Sequence, residues 1–141
     1  MKAKNYIIIT IFIVLFSSCK KSTKNFQKQG VWEEILKAAE EDNIDYLLEI
    51  SSDTLQCIEC NNGRDWVKKE KFFRNNLDNI KLVKNRKYSY FIESINSLES
   101  EFNEIIKITY KNKYKGNNYI VIYTILKGEE KIKFLGVSSV P

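Results

Sequence analysis

Histidine is missing from this 141-residue chain, and proline occurs once, as the final residue, Pro141. Without an imidazole there can be no Ser-His-Asp or Cys-His nucleophile system, because both use that ring as the base. Ordinary catalytic zinc loses a standard ligand as well. The five glycines form no Gly-rich phosphate loop, and no internal repeat is visible. The apolar stretch from Tyr6 to Phe16, broken only by Thr10, is shorter than the roughly 20 residues a membrane-spanning helix needs. Carboxylates remain as acid/base candidates, for example Glu33 with Glu34 or Asp42 with Asp45. Neighbouring Glu33 and Glu34 point to different faces of a helix, so they read as solvated surface. The expectation is a protein that is not an enzyme and needs no cofactor and no metal.

What is present begins with the leader. Lys2 and Lys4 give a basic start, the apolar stretch follows, and Leu15-Phe16-Ser17-Ser18-Cys19 closes it with small residues before a cysteine. That three-part layout fits a removable export signal. An ordinary secretory signal would also suit Ser17-Ser18. The cysteine goes further: the segment resembles the lipobox of bacterial lipoproteins, where the cysteine is lipidated and the chain is cut before it. Phe16 and Ser17 depart from the familiar Leu-Ala-Gly-Cys form, and Leu15 sits one place further out. Ser-Ser-Cys endings resemble lipoproteins of the Bacteroidota. The resemblance implies two or three acyl chains on Cys19. One chain holds only marginally, at roughly 0.8 kcal/mol per buried methylene, so Cys19 would anchor the protein to a membrane almost permanently. Surface-exposed lipoproteins of that group tend to carry acids soon after the cysteine. Here Lys20, Lys21, Lys24 and Lys28 follow, and the first acid is Glu33. The implied localisation is therefore lipid-anchored to the cell envelope and periplasm-facing.

Three segments follow from this: a signal peptide over 1–18, a lipidated tether over 19–26 and one domain over 27–141. The leader removes Lys2 and Lys4 and no acid, so 23 basic residues fall to 21 against 18 acidic. A surplus that small gives no argument for nucleic acid. The tether lysines either rest on anionic head groups or simply solvate a linker.

Within the domain, Trp32, Ile35, Leu36 and Ala39 recur at helical spacing, Glu40-Glu41-Asp42-Asn43 interrupts, and Ile44, Leu47 and Leu48 restart the period. The pattern predicts a helix, a tight corner and a short second helix between Gln27 and about Ile50. Ser51 to Gly63 is loop-like, with a short strand at Thr54 to Ile58. Trp66, Phe73, Leu77 and Ile80 predict a third helix over Asp65 to Ile80, although Glu70 falls in that stripe. The period then changes to two. Tyr88 to Ile95, Phe102 to Tyr110, Tyr119 to Lys127 and Lys131 to Val140 alternate apolar and polar residues and predict antiparallel hairpins, with Tyr119 to Leu126 central. The fold class expected is α+β: N-terminal helices packed on a curved antiparallel sheet of about four to five strands.

That order, and in particular VWEEILKAAEEDNIDYLLEISSDTL, resembles the opening of the nuclear-transport-factor-2-like (SnoaL-like) group. There a helix pair precedes a curved sheet that closes over a cone-shaped cavity. No motif aligns, so no catalytic residue is carried over. A cystatin-like or other helix-plus-meander α+β domain fits the same pattern.

Cys57-Ile58-Glu59-Cys60 is the one chemical constellation. A redox pair would sit at a helix N-terminus, where the thiol pKa falls, and thioredoxin-like proteins face it with a cis-proline that Pro141 cannot supply. A metal half-site would need two more ligands. A structural disulfide suits an oxidising compartment, with roughly 2 kcal/mol from closing so short a loop. Trp66, Tyr88, Tyr90, Tyr110 and Tyr123 are candidates for a ligand or partner surface, against the alternative that strand aromatics form core and cross-strand pairs. Three functions stay open: a binding module for an envelope protein or a small apolar ligand, a thiol–disulfide protein using Cys57 and Cys60, and an immunity-type inhibitor.

Overall fold

A computed structural model describes residues 30–58, 60, 65–96 and 100–141. The leader, the tether and the proposed anchor Cys19 lie outside the described residues.

Helix α1 spans Gly30–Glu40 and buries Val31, Trp32, Ile35, Leu36, Ala38 and Ala39 on one face. It ends because Asp42 turns left-handed, with φ 53°. The Asn43 amide then donates to Ala38 O at 2.9 Å and the Asp42 amide to Ala39 O at 3.2 Å, a Schellman closure that satisfies the last carbonyls. Asn43 at once caps α2, Ile44–Glu49, by accepting from the Tyr46 amide at 3.2 Å. The corner read from Glu40 to Asn43 is thus built by an αL residue and a cap in adjacent positions.

Strands β1 (Ser51–Cys57) and β2 (Asp65–Lys68) pair antiparallel, with Leu55 opposite Val67. Helix α3, Lys69–Val83, follows directly and buries Phe72, Phe73, Asn76, Ile80 and Val83. The expected start of this helix at Asp65 is corrected: residues 65–68 extend to pair with β1. Without Trp66 in the stripe, the buried face rotates to Phe72 and Phe73, and Glu70 falls in solvent.

Strands β3 (Ser89–Ser94), β4 (Glu104–Tyr114), β5 (Asn117–Lys127) and β6 (Ile132–Val140) form the meander. The α+β class holds, but the sheet expectation is corrected. Among the described residues the sheet has six strands, in the order β2-β1-β6-β5-β4-β3. The sheet is mixed, because β6 lies between β5 and β1 and runs parallel to β1. Nor do all helices come first, since α3 follows a hairpin. Strand β5 does lie inside the sheet, as its weaker polarity implied.

The helices cover one sheet face. Trp32 of α1 lies 4.7 Å from Tyr123 and 6.4 Å from Tyr110, centroid to centroid. Phe72 and Phe73 of α3 lie 5.7 and 6.1 Å from Phe134. Tyr123 and Phe134, 6.5 Å apart, join the two groups into one core. Such pairs add about 0.5–1.5 kcal/mol each beyond their area. Lys84–Glu40 and Lys81–Asp42 ion pairs tie α3 to the α1 corner from outside. They are exposed, so they fix position more than stability.

Candidate functional site

Where α3 crosses the ends of β4, β5 and β6, the packing leaves a cleft of about 210 Å³. Val83, Val121, Tyr123 and Val137 form its buried apolar floor. Asn76, Asn79, Arg86, Asn112 and Tyr119 supply the polar groups, and Ile58 forms one wall. The volume lies below the roughly 300–1,000 Å³ of sites for drug-sized ligands.

Four of these five polar groups have a visible support. Asn112 and Tyr119 face each other across the β4–β5 pair, and Asn112 Nδ2 donates to Tyr119 Oη at 3.1 Å. Accepting that bond leaves the tyrosine its own hydroxyl hydrogen to donate. Arg86, just past α3, donates from Nη2 to Lys111 O at 2.6 Å. Its guanidinium carbon stands 5.9 Å from the Tyr110 ring centre. Asn76, buried in α3, donates from Nδ2 to Phe72 O at 3.0 Å, to Cys57 Sγ at 3.3 Å and to Cys60 Sγ at 3.5 Å.

Those sulfurs form a disulfide, with Cα atoms 5.7 Å apart. Cys57 is fully buried at the end of β1. It lies on a strand and not at the N-terminus of α1, α2 or α3, where a thiol pKa would be lowered. The bridged turn carries Ile58, so the bond and Asn76 together hold one wall of the cleft. Among the described residues, no group of three or more His, Cys, Asp or Glu could hold a metal ion. No helix among them is long and apolar enough to cross a membrane.

The five aromatics singled out from sequence do not form one surface. Trp66 is 60% exposed on β2, at one edge of the sheet. Tyr88 and Tyr90 lie half-buried at and just before β3, at the opposite edge. Tyr110 and Tyr123 are buried, because the inward parity of β4 and β5 sets them under Trp32. These two belong to the core, and of the pair Tyr123 also borders the cleft. Sequence reasoning missed Asn76, Asn79, Arg86 and Asn112. Asn76 did leave a signal: a polar residue three and four places from Phe73, Phe72 and Ile80 on the buried stripe of a helix.

Tyr90 carries a different burden. Its hydroxyl is buried without a hydrogen-bond partner among the described residues. Burial first, then Tyr88 and Glu104, push its pKa up to about 12. An unfolded tyrosine titrates near 10. Between about pH 10 and 12 the unfolded chain therefore releases a proton that the native state keeps, and stability falls as pH rises through that window. Tyr90→Phe is expected to stabilise the fold by about 1 kcal/mol at pH 7 and to flatten that alkaline loss. Urea midpoints at neutral and alkaline pH check both.

Comparison of the chain with protein-family models, with curated proteins and with solved structures finds no match.

Proposed function

We propose that this chain is a lipid-anchored envelope protein whose domain binds a small ligand, without transforming it, in the cleft between α3 and strands β4 to β6. One observation carries the binding reading: a recess with an apolar floor and convergent amide, hydroxyl and guanidinium groups, among which Asn112, Tyr119 and Arg86 are held by neighbours. Support for the anchor comes from Lys2, Lys4, the apolar stretch and Ser17-Ser18-Cys19. A helix pair ahead of the sheet, and a recess between helices and sheet, support the nuclear-transport-factor-2-like reading of the fold. The thiol–disulfide alternative is disfavoured by the full burial of Cys57 and its place on a strand.

Two measurements test the reading. Mass spectrometry of the protein taken from membranes is expected to find an acylated Cys19 as the first residue; an unmodified N-terminus beginning elsewhere removes the anchor. For the cleft, Val121→Phe fills the recess from its floor. Amide shifts caused by a mixture of small polar and apolar fragments should cluster on the lining residues and vanish in that variant, with circular dichroism unchanged. Shifts scattered over the surface, or equal in both proteins, would remove the cleft as the site.

A further inference from the structure

We infer that the cleft takes a small organic anion: a carboxylate on a short apolar body, its charge met by Arg86 and Tyr119 and its body lying on Val83, Val121 and Val137. The inference rests on the binding reading above and names the class of ligand.

Charge gives the first part. Among the described lining residues Arg86 carries the only charge. The two groups that hold it, the Lys111 carbonyl and the Tyr110 ring, are both neutral and leave that charge uncompensated. One guanidinium nitrogen is spent on the carbonyl, and the remaining N–H groups keep the planar fork that suits a carboxylate. Because the side chain is already tethered, little rotamer freedom is lost when the anion arrives. Tyr119 adds a hydroxyl whose lone pair is engaged by Asn112 and whose hydrogen is left to donate.

The floor gives the second part. Val83, Val121 and Val137 turn what little surface they expose into the recess, and that surface is apolar, so a bare inorganic anion would gain nothing by covering it. A volume of about 210 Å³ limits the body to a single ring or a short branched chain. Asn76 belongs to the wall, since its amide hydrogens are committed to Phe72 and the two sulfurs.

Benzoate is the probe, with benzamide as a neutral isostere and inorganic phosphate as an anion without a body. Each is titrated into the mature chain, residues 19–141, and followed by the backbone amides of Val83, Val121 and Val137. Benzoate is expected to shift these amides saturably and to bind at least about tenfold more tightly than benzamide or phosphate. Arg86→Gln should remove that advantage, leaving benzoate and benzamide equal, while Arg86→Lys keeps part of it. Benzamide binding as well as benzoate, or benzoate affinity unchanged in Arg86→Gln, overturns the anion. Phosphate binding as well as benzoate overturns the apolar body. If all three fail while the fragment mixture still marks the cleft, the class falls and the site stands. If neither experiment touches the cleft, the binding reading falls with it.

Discussion

Replacing Trp32 with alanine is expected to cost the domain about 5 kcal/mol, a third or more of the roughly 5–15 kcal/mol that holds a domain folded. The indole is fully buried in α1 and packs against Tyr123 at a tilt of 36°. Removing so large a side chain from a packed site costs about 3–5 kcal/mol in lost transfer and in the cavity left behind. A second loss follows, because indole Nε1 donates to Tyr110 Oη at 2.7 Å across the core, and the tyrosine oxygen would be left buried without that donor. Three further variants separate the two parts. Trp32→Phe keeps most of the ring and removes the donor, and Tyr110→Phe removes the acceptor and strands the indole N–H. Each is expected to cost about 1–3 kcal/mol. The double variant should cost less than their sum, because it leaves neither partner stranded. Urea unfolding followed by far-UV circular dichroism reads all four proteins. A loss below about 2 kcal/mol for the alanine variant would mean that Trp32 does not join α1 to the sheet as described.

The same residues show what a reader of the sequence could and could not see. Trp32, Ile35, Leu36 and Ala39 marked α1 because one helix buries them on one side, and the corner was legible because acids and asparagine break the period there. Strands β4 to β6 were legible because Ile106, Ile108 and Tyr110 turn inward at period two. Strand β2 was hidden. Trp66 lies seven residues before Phe73, a spacing that imitates two helical turns, and a four-residue strand is too short to set a period of its own. The parallel β1–β6 pair left no local mark, because its partners meet across most of the domain. The cleft was illegible for the same reason: α3, β4, β5 and β6 each bring one or two residues to it, and no spacing in the chain announces the meeting. Only the disulfide was within reach of spacing and compartment together, and it is present. Its small loop makes it a modest stabiliser, about 2 kcal/mol by loop closure; its position beside Asn76 and Ile58 gives it a part in the site's wall.

Gly136→Ala is expected to be nearly as damaging as the loss of Trp32, from a change of one methyl group. Gly136 has φ 106°, where L side chains are strained. It sits at the junction where β6 pairs with Thr124 of β5 on one side and Gln56 of β1 on the other, next to a register shift on each side. A Cβ there would lie 2.2 Å from Gln56 O and 2.6 Å from Gln56 N. Both are backbone atoms, so relief requires β1 to move as a whole. Strain of this kind costs about 1–3 kcal/mol before any clash is counted, and about 4 kcal/mol in all is expected. Because β1 ends at Cys57 and leads into Ile58, displacing it should also spoil the cleft, and amide exchange should quicken first in β1 and β2 while β3 to β5 stay protected. Gly116→Ala is the control. Its φ of 86° is positive too, but nothing lies within 4 Å of the added Cβ, so it should cost only about 1 kcal/mol of turn strain. Thermal unfolding and hydrogen exchange on both variants decide the matter. Equal, small losses would mean that conformational strain alone acts at Gly136 and that β1 is free to shift along β6.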